Sequence, residues 1–416
     1  MNISLQRNGL AARSLRGTLL LGTVAGALLL AGTATTRADE HMVLVDKIDV
    51  GGNGLGAFDI SFVDPTIDLY VLADRTNASV DLFDASDATF IGRVGGFAGV
   101  AHNPDGTANN NLSGPDGVVV VASKEVWAGD GDSTVKVIDL ATKNIVDTIS
   151  TGGKFRCDEM AWDSADHILA VANNADDPPF VTMINTDTHQ ITGKIIFDKA
   201  DAGVDAQNGI EQPQWSPKTG LFYVSVPQVG PDTAQGGVSV IDPHTNTVVA
   251  TFLVQQCSPA GLTLGPNEEA LIGCSASFGK SPNVVTQSLV IKITNGDVVA
   301  NITEVGGSDE VWYDRGSGHY YLAARSNTDN TGKITPVLGT VDARGNVFDG
   351  TVPTSTTAHS VAADKVSHHV FVPIGFVPPG SAAGTDSTNP CPEHGCIAVY
   401  LPSSIDDDDG GKLAKR

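Results

Sequence analysis

Seven positions of this 416-residue chain recur 42 to 57 residues apart, each just ahead of a strand-like apolar run: Asp59, Asp116, Asp158, Glu211, Ala260, Asp309 and His359. Six of the seven carry a carboxyl or an imidazole. The positions that follow them are Ile60, Gly117, Glu159, Gln212, Gly261, Glu310 and Ser360, so the acid is doubled at Asp158-Glu159 and Asp309-Glu310. Carboxyls gathered in one place repel each other, so either some keep their protons or a cation sits among them. Oxygen donors alone suit Ca²⁺ or Mg²⁺, and the imidazole of His359 admits Zn²⁺. The expected metal set is Asp158, Asp309 and His359. An ion held there would polarise a carbonyl while His359, Glu159 or Glu310 moved the proton. Asp59, Asp116 and Glu211 are expected beside it as ligand or channel contacts. The plainer alternative is that each acid caps a backbone amide in a wet, polar channel.

Those residues meet only if the intervening segments form equivalent units. Residues 69–95, 126–153 and 221–254 share one layout: an apolar run, a polar turn, an alternating strand such as VSVID, a polar hairpin and another alternating strand. Period-2 alternation rich in Val, Ile and Thr is the strand signal. A further strand precedes each unit, as DEMAWD precedes HILAVAN, which makes four strands per repeat. Helical segments between strands are almost lacking, which argues against a doubly wound sheet. Seven units of about fifty residues predict an all-β, seven-bladed β-propeller of four-stranded blades. The last unit is one strand short, and VLVDKIDVGG at 43–52 matches NIVDTISTGG at 144–153 in kind. The N-terminal strand is therefore expected to complete the last blade, leaving no open sheet edge.

The stretches VWAGDGDSTVKVIDLATKNIVDTISTGG and GGVSVIDPHTNTVVATFLV resemble YVTN-type propeller repeats. The resemblance covers nearly all of the chain after residue 38 and is specific for fold rather than activity. It implies a bacterial surface or periplasmic protein, most such repeats being interaction scaffolds. More distant propellers include lactonases and lyases, but no catalytic motif of theirs matches residue by residue.

The loops that join second and third strands should share the acidic face. Arg75 and Arg325 start two of them and are expected to bind a ligand carboxylate or to partner a ring acid. His102 lies in the long segment 95–115. A second long segment, 374–395, interrupts the seventh unit; each reads either as a binding loop or as a structureless insertion. His167, His189, His244, His319, His368 and His369 fall away from the ring and read as surface or satisfied side chains.

Residues 1–38 hold four arginines and no acid, with the apolar run TLLLGTVAGALLLAGTA at 18–34. They read as a secretory signal peptide, the alternative being a membrane anchor. Removing them would take the net charge from −23 to −27. The expected organisation is a signal at 1–38, a propeller at 39–404 and a polar tail at 405–416. A periplasmic or secreted destination suits the cysteines: Cys391 and Cys396 can close a short loop, and Cys257 and Cys274 can form a second disulfide. Cys157 is left over, either buried or reactive, with a metal role for it or His394 as a lesser option.

Such an acidic chain offers no footprint for a phosphate backbone, so nucleic acid is not an expected partner. No C-x-x-C-H haem site occurs, and GGNGLG at 51–56 precedes a strand rather than a helix, so neither haem nor a nucleotide cofactor is expected. After signal removal no second apolar run is long enough to span a bilayer, and a monomer is expected. Two functions stand open. One is a non-catalytic propeller binding a cation, small ligand or protein partner at its loop-bearing mouth. The other is a metal-dependent hydrolase or lyase acting on a lactone or ester.

Overall fold

Runs rich in β-branched residues build the sheets of this protein, and tight Asp-centred turns close strands in every blade but the fifth. In the computed structural model, which describes residues 41–275, 286–377 and 387–403, they form seven separate four-stranded antiparallel sheets. Each sheet takes its strands in chain order except the last. The expected signal segment and polar tail, and part of the 374–395 insertion, lie outside the described residues.

Every blade opens with a short inner strand: Ser61–Asp64, Val118–Val121, Met160–Asp163, Pro213–Ser216, Pro259–Leu264, Val311–Asp314 and Ala362–Ala363. The middle strands are buried on both faces, as in Leu69–Asp74, and read as continuous apolar runs. Outer strands such as Asn144–Ser150 alternate between half-buried and exposed side chains, because only one face packs on the next blade. The core is accordingly spread between blades as a series of apolar layers, each shared by adjacent sheets.

The turns explain much of the acidic composition. Asp64, Asp84, Asp139, Asp163, Asp242, Asp314 and Asp364 each accept the backbone N–H two residues on. A short carboxylate mimics a backbone carbonyl at that position and tolerates the tight geometry. Asp342 does the same for Arg344 at 3.2 Å, so eight of the 48 acids are committed to the turns that close inner or third strands.

Blade seven is assembled from both ends of the chain. Its strands run Met42–Ile48, Cys396–Pro402, Val370–Ile374 and Ala362–Ala363 in space. Met42 pairs with Pro402 and Ile48 with Ile397, and Met42 and Ile48 are buried while the strand between them is exposed. The N-terminal strand thus closes the ring, as the sequence predicts. Cys257–Cys274 and Cys391–Cys396 both stand at disulfide distance.

Deleting Met42–Ile48 should leave Cys396–Pro402 as a bare sheet edge. Burial of Met42 and Ile48 alone is worth about 4 kcal/mol, so the melting temperature should fall by about 5 °C or more. Size-exclusion chromatography should also show self-association. An unchanged, monomeric protein would mean that the strand is dispensable.

Candidate functional site

A common register brings the recurrent residues to one end of the channel. The Asp59 N–H donates to the carbonyl of Ala73, and the Ala73 N–H returns to that of Ile60. The same exchange links Asp116 and Gly117 to Gly129, Asp158 and Glu159 to Ala172, and Glu211 and Gln212 to Ser225. Ala323 donates to Glu310 in blade six, which places Asp309 in the same ring. In blade five Leu262 pairs with Ile272, placing Ala260 there, and in blade seven the Asp364–His369 closure places His359 there.

The mouth is a cavity of about 340 Å³ lined by Asp59, Asp158, Glu159, Glu211, Asp309 and Glu310, by Arg75, Arg156 and Arg325, and by His359. Asp116 lies just behind it, fully buried. The arginines answer the crowding of carboxyls. Arg75 makes close hydrogen bonds to both Asp59 and Asp116 through one nitrogen. Arg156 donates to Asp158 at 2.8 Å, with its other terminal nitrogen 3.6 Å from Asp59 and 3.8 Å from Asp116. Arg325 pairs with Asp309 at 2.6 Å. Asp158 also accepts a close hydrogen bond from Asn174, whose carbonyl oxygen accepts from Arg156.

Of the residues singled out from the sequence, Asp59, Asp158, Glu159, Glu211, Asp309, Glu310, Arg75, Arg325 and His359 share this cavity. His102 does not line it. That residue is exposed and bridges to Ala108, and its loop reaches the cavity through Asn110 instead. Asp158, Asp309 and His359, the expected metal set, each face a different partner. The oxygens that do cluster within 4.8 Å belong to Asp59, Asp116 and Asp158, and Arg75 and Arg156 bond to them. His359 stacks on Phe58 at 4.5 Å. Its Nδ1 is 2.8 Å from the Thr357 carbonyl and its Nε2 3.3 Å from Asp59, so both ring nitrogens face acceptors.

Arg156 escaped the sequence reading. It lies two residues before a ring acid, on the segment feeding an inner strand rather than on a loop between second and third strands. The available signal was its position in FRCDE, where a basic residue stands one residue away from a doubled acid.

The carboxyls divide by partner. Burial alone would raise Asp59, but Arg75, the hydrogen bond from His359 and Arg156 together take it well below the usual carboxylate range. Burial outweighs the same arginines at Asp116, which is raised well above that range. Burial pushes Asp158 up to about 6, with Arg156 opposing it. Glu211, Glu159 and Glu310 are all raised well above the ordinary glutamate value, first by burial and then by neighbouring acids. The Glu211 carboxyl makes no hydrogen bond or ion pair among the described residues. Glu310 accepts from Gln212 at 2.8 Å through one oxygen only. Its other oxygen and Oε2 of Glu159 are buried without a partner.

Symmetry is broken at the second ring position. Gly117 stands where blades three, four and six carry Glu159, Gln212 and Glu310, and a Cβ on it would come within 2.0 Å of the Asp158 carbonyl. Backbone contact between blades two and three therefore excludes a side chain there. The long polar side chains at this position come from blades three, four and six, with Gly261 of blade five between them.

The other singled-out groups are occupied elsewhere. His167 pairs with Asp187, His189 with Asp147, His319 with Asp349, His368 with Asp314 and His244 with Asp166. His369 faces the carbonyl of Ala85. Cys157 is buried, and burial pushes its thiol up to about 12, which leaves little thiolate for nucleophilic or metal chemistry.

No family model and no curated protein matches the sequence. Among solved structures the chain is similar to one titled "Kuenenia stuttgartiensis Hydrazine Synthase", at 14% identity and a TM-score of 0.58, over 78% of this chain and 94% of that one. That likeness supports the propeller fold alone. No helix among the described residues is long and apolar enough to cross a membrane.

Two outcomes follow from the charge pattern. Arg75→Met would leave Asp59 and Asp116 buried without their main counter-charge, costing about 3–5 kcal/mol in urea melts at pH 8. The cost should shrink at pH 5, where the carboxyls can take up protons. The raised acids work in the same sense on the native protein. Their stabilisation is complete below the unfolded glutamate value, near 4.3, and is lost as pH rises through the folded values. Glu211→Gln should therefore be close to neutral at pH 5 and stabilising by ~1 kcal/mol or more at pH 8. Equal effects at the two pH values would contradict this assignment.

Proposed function

We propose that this protein is an extracytoplasmic YVTN-type propeller that binds a small organic cation at the acidic mouth of its channel. The observation that carries the reading is the mismatch of charge in that cavity. Six carboxyls line it (Asp59, Asp158, Glu159, Glu211, Asp309 and Glu310) and a seventh, Asp116, lies just behind, against three arginines. The arginines are bonded to aspartates, which leaves the glutamates without a counter-charge. Protons on the glutamates fill that role, and an ammonium or guanidinium group would take it over, with Glu211 as its first contact.

A cation of a few heavy atoms fits about 340 Å³, within the range of small-molecule sites. Recognition by preset carboxylates on a rigid ring needs no movement of the blades, only proton release. His359, held between Thr357, Asp59 and Phe58, acts here as a positioning residue for Asp59. The two cysteine pairs at disulfide distance support an oxidising compartment.

A divalent metal is the second reading, favoured by the three aspartate oxygens within 4.8 Å of one another. It would have to displace Arg75 and Arg156, and it carries with it the hydrolase or lyase chemistry expected of such an ion.

Isothermal titration with a panel of primary diamines and guanidines, and with CaCl₂, MgCl₂ and ZnCl₂, separates the two. An organic cation should bind more tightly as pH rises from 5.5 to 8, by up to about tenfold per pH unit for each proton released. Glu211→Gln should weaken it about tenfold or more. Metal binding insensitive to Glu211→Gln but lost in Asp116→Asn would favour the second reading. Absence of binding by every probe would end both.

A further inference from the structure

The channel has a second cavity, on the far side of Glu159 and Glu310 from the acidic mouth. It measures about 290 Å³, and Glu159, Glu310 and Ile60 line both spaces. Its wall is aromatic: Phe62, Trp162, Trp215, Trp312 and Tyr313. These come from the inner strands of blades one, three, four and six. Three of the chain's four tryptophans are gathered there.

These rings are not closed over by protein. All five are only half-buried, although they belong to the innermost strands. Blade seven presents Ala362 and Ala363 at the corresponding positions, which leaves room on that side. Phe62 and Trp312 reach across this gap and meet edge to face at 5.4 Å. Aromatic faces around an open space, with acid at its inner end, form a surface of one electrostatic sign. The π faces and the carboxyls both favour a positive guest.

The acids at the inner end are the second, independent sign of a guest. Glu159 is 5% exposed and Glu310 3%. Each has one carboxyl oxygen buried with no hydrogen-bond partner. Native structures rarely leave such groups unpaired. No lysine or arginine lines this cavity to answer them. Ser61, Gln212, Gln214 and Thr263 also line the wall, but its five aromatic rings suit a cation with an apolar skin better than a hydrated metal ion. A cation whose charge lies beneath an apolar skin fits both components.

We propose that this aromatic vestibule is a distinct binding site for a small alkylated ammonium group, held over Trp162, Trp215 and Trp312 with Glu159 and Glu310 as its counter-charge. The ammonium sits where its methyl groups touch the rings and its charge faces the two carboxyls. Nothing in this placement requires Glu211 or the arginines of the other mouth.

The test uses the full mature chain, with tetramethylammonium and choline as probes and 3,3-dimethyl-1-butanol as the neutral copy of choline. Tryptophan fluorescence reports directly, because three of the four indoles line the cavity. Both cations should change it saturably, with the neutral copy at least about tenfold weaker. Trp312→Leu and Glu310→Gln should each weaken choline about tenfold, while Glu211→Gln, which relieves the acid crowding on Glu159, should not weaken it. Thermal melts identify a variant that fails to fold, and Glu310→Gln, nearly isosteric, carries the test if Trp312→Leu does. No saturable response to either cation would overturn the proposal. So would equal binding of the neutral copy, which would make the cavity simply apolar, or loss of choline binding in Glu211→Gln, which would place the guest in the acidic mouth.

Discussion

The constraint on which this structure turns is the convergence of buried carboxyls at one point of a closed ring. A propeller brings the starts of its inner strands together whether or not their side chains suit each other. Here the chain places acids at most of those starts, in a space where charge is costly to bury. The answer is unequal. Arg75 and Arg156 tie Asp59, Asp116 and Asp158 into one ion-pair network, and Arg325 answers Asp309. The glutamates are left to their protons. A fully compensated ring would be a structural plug, whereas this one keeps an unspent preference for positive charge.

That preference has a direction because the ring is not sevenfold. Gly117 and Gly261 pack against neighbouring backbone and Ser360 hydrogen-bonds Ser61, so those blades send no long side chain inward at the second position. Glu159, Gln212 and Glu310 enter from blades three, four and six. Gln212 links them to the frame, donating to Glu310 and accepting from the Leu262 N–H at 2.6 Å. One amide thereby fixes a carboxyl and a backbone strand together, holding the wall between the two cavities rigid.

The fold was legible because repetition survives small errors. Seven separate alignments of strand starts had to agree, and each was anchored by a turn signal such as GPDG or an Asp-centred hairpin. The missing strand was found by the same means, since residues 43–52 echo 144–153 in kind. The membership of the mouth was legible for the same reason: register decides which residues meet, and register follows alternation. Pairing within the mouth was not. Which acid meets which arginine depends on side-chain reach across blades, and Arg156 approaches Asp116 and Asp59 from 40 and 97 residues further along the chain. The aromatic vestibule was equally hidden. Trp162, Trp215 and Trp312 each sit in an ordinary strand pattern, and nothing local distinguishes a core indole from one facing a channel. Only superposing the inner strands around the ring reveals that they share a space.

The wall of Glu159, Gln212 and Glu310 also links the two cavities energetically. Both spaces are lined by the same two carboxyls, whose charged forms are disfavoured by burial and by each other. A positive group on either side lowers the cost of ionising them. The first cation to arrive therefore removes a proton that the second would otherwise have to displace, whereas direct repulsion between the two positive guests works against joint occupancy. The sign of the coupling rests on which effect is larger. With two carboxyls available in the shared wall, a guest on each side can claim one, so proton release favours joint occupancy wherever the glutamates begin protonated. As pH rises and they ionise unaided, that gain disappears and only the repulsion remains. By linkage the effect is reciprocal, each guest altering the other's affinity by the same factor. The two ends of the channel are thus chemically unlike but electrostatically one system, joined through a pair of acids that the propeller's closure forces to share a confined space.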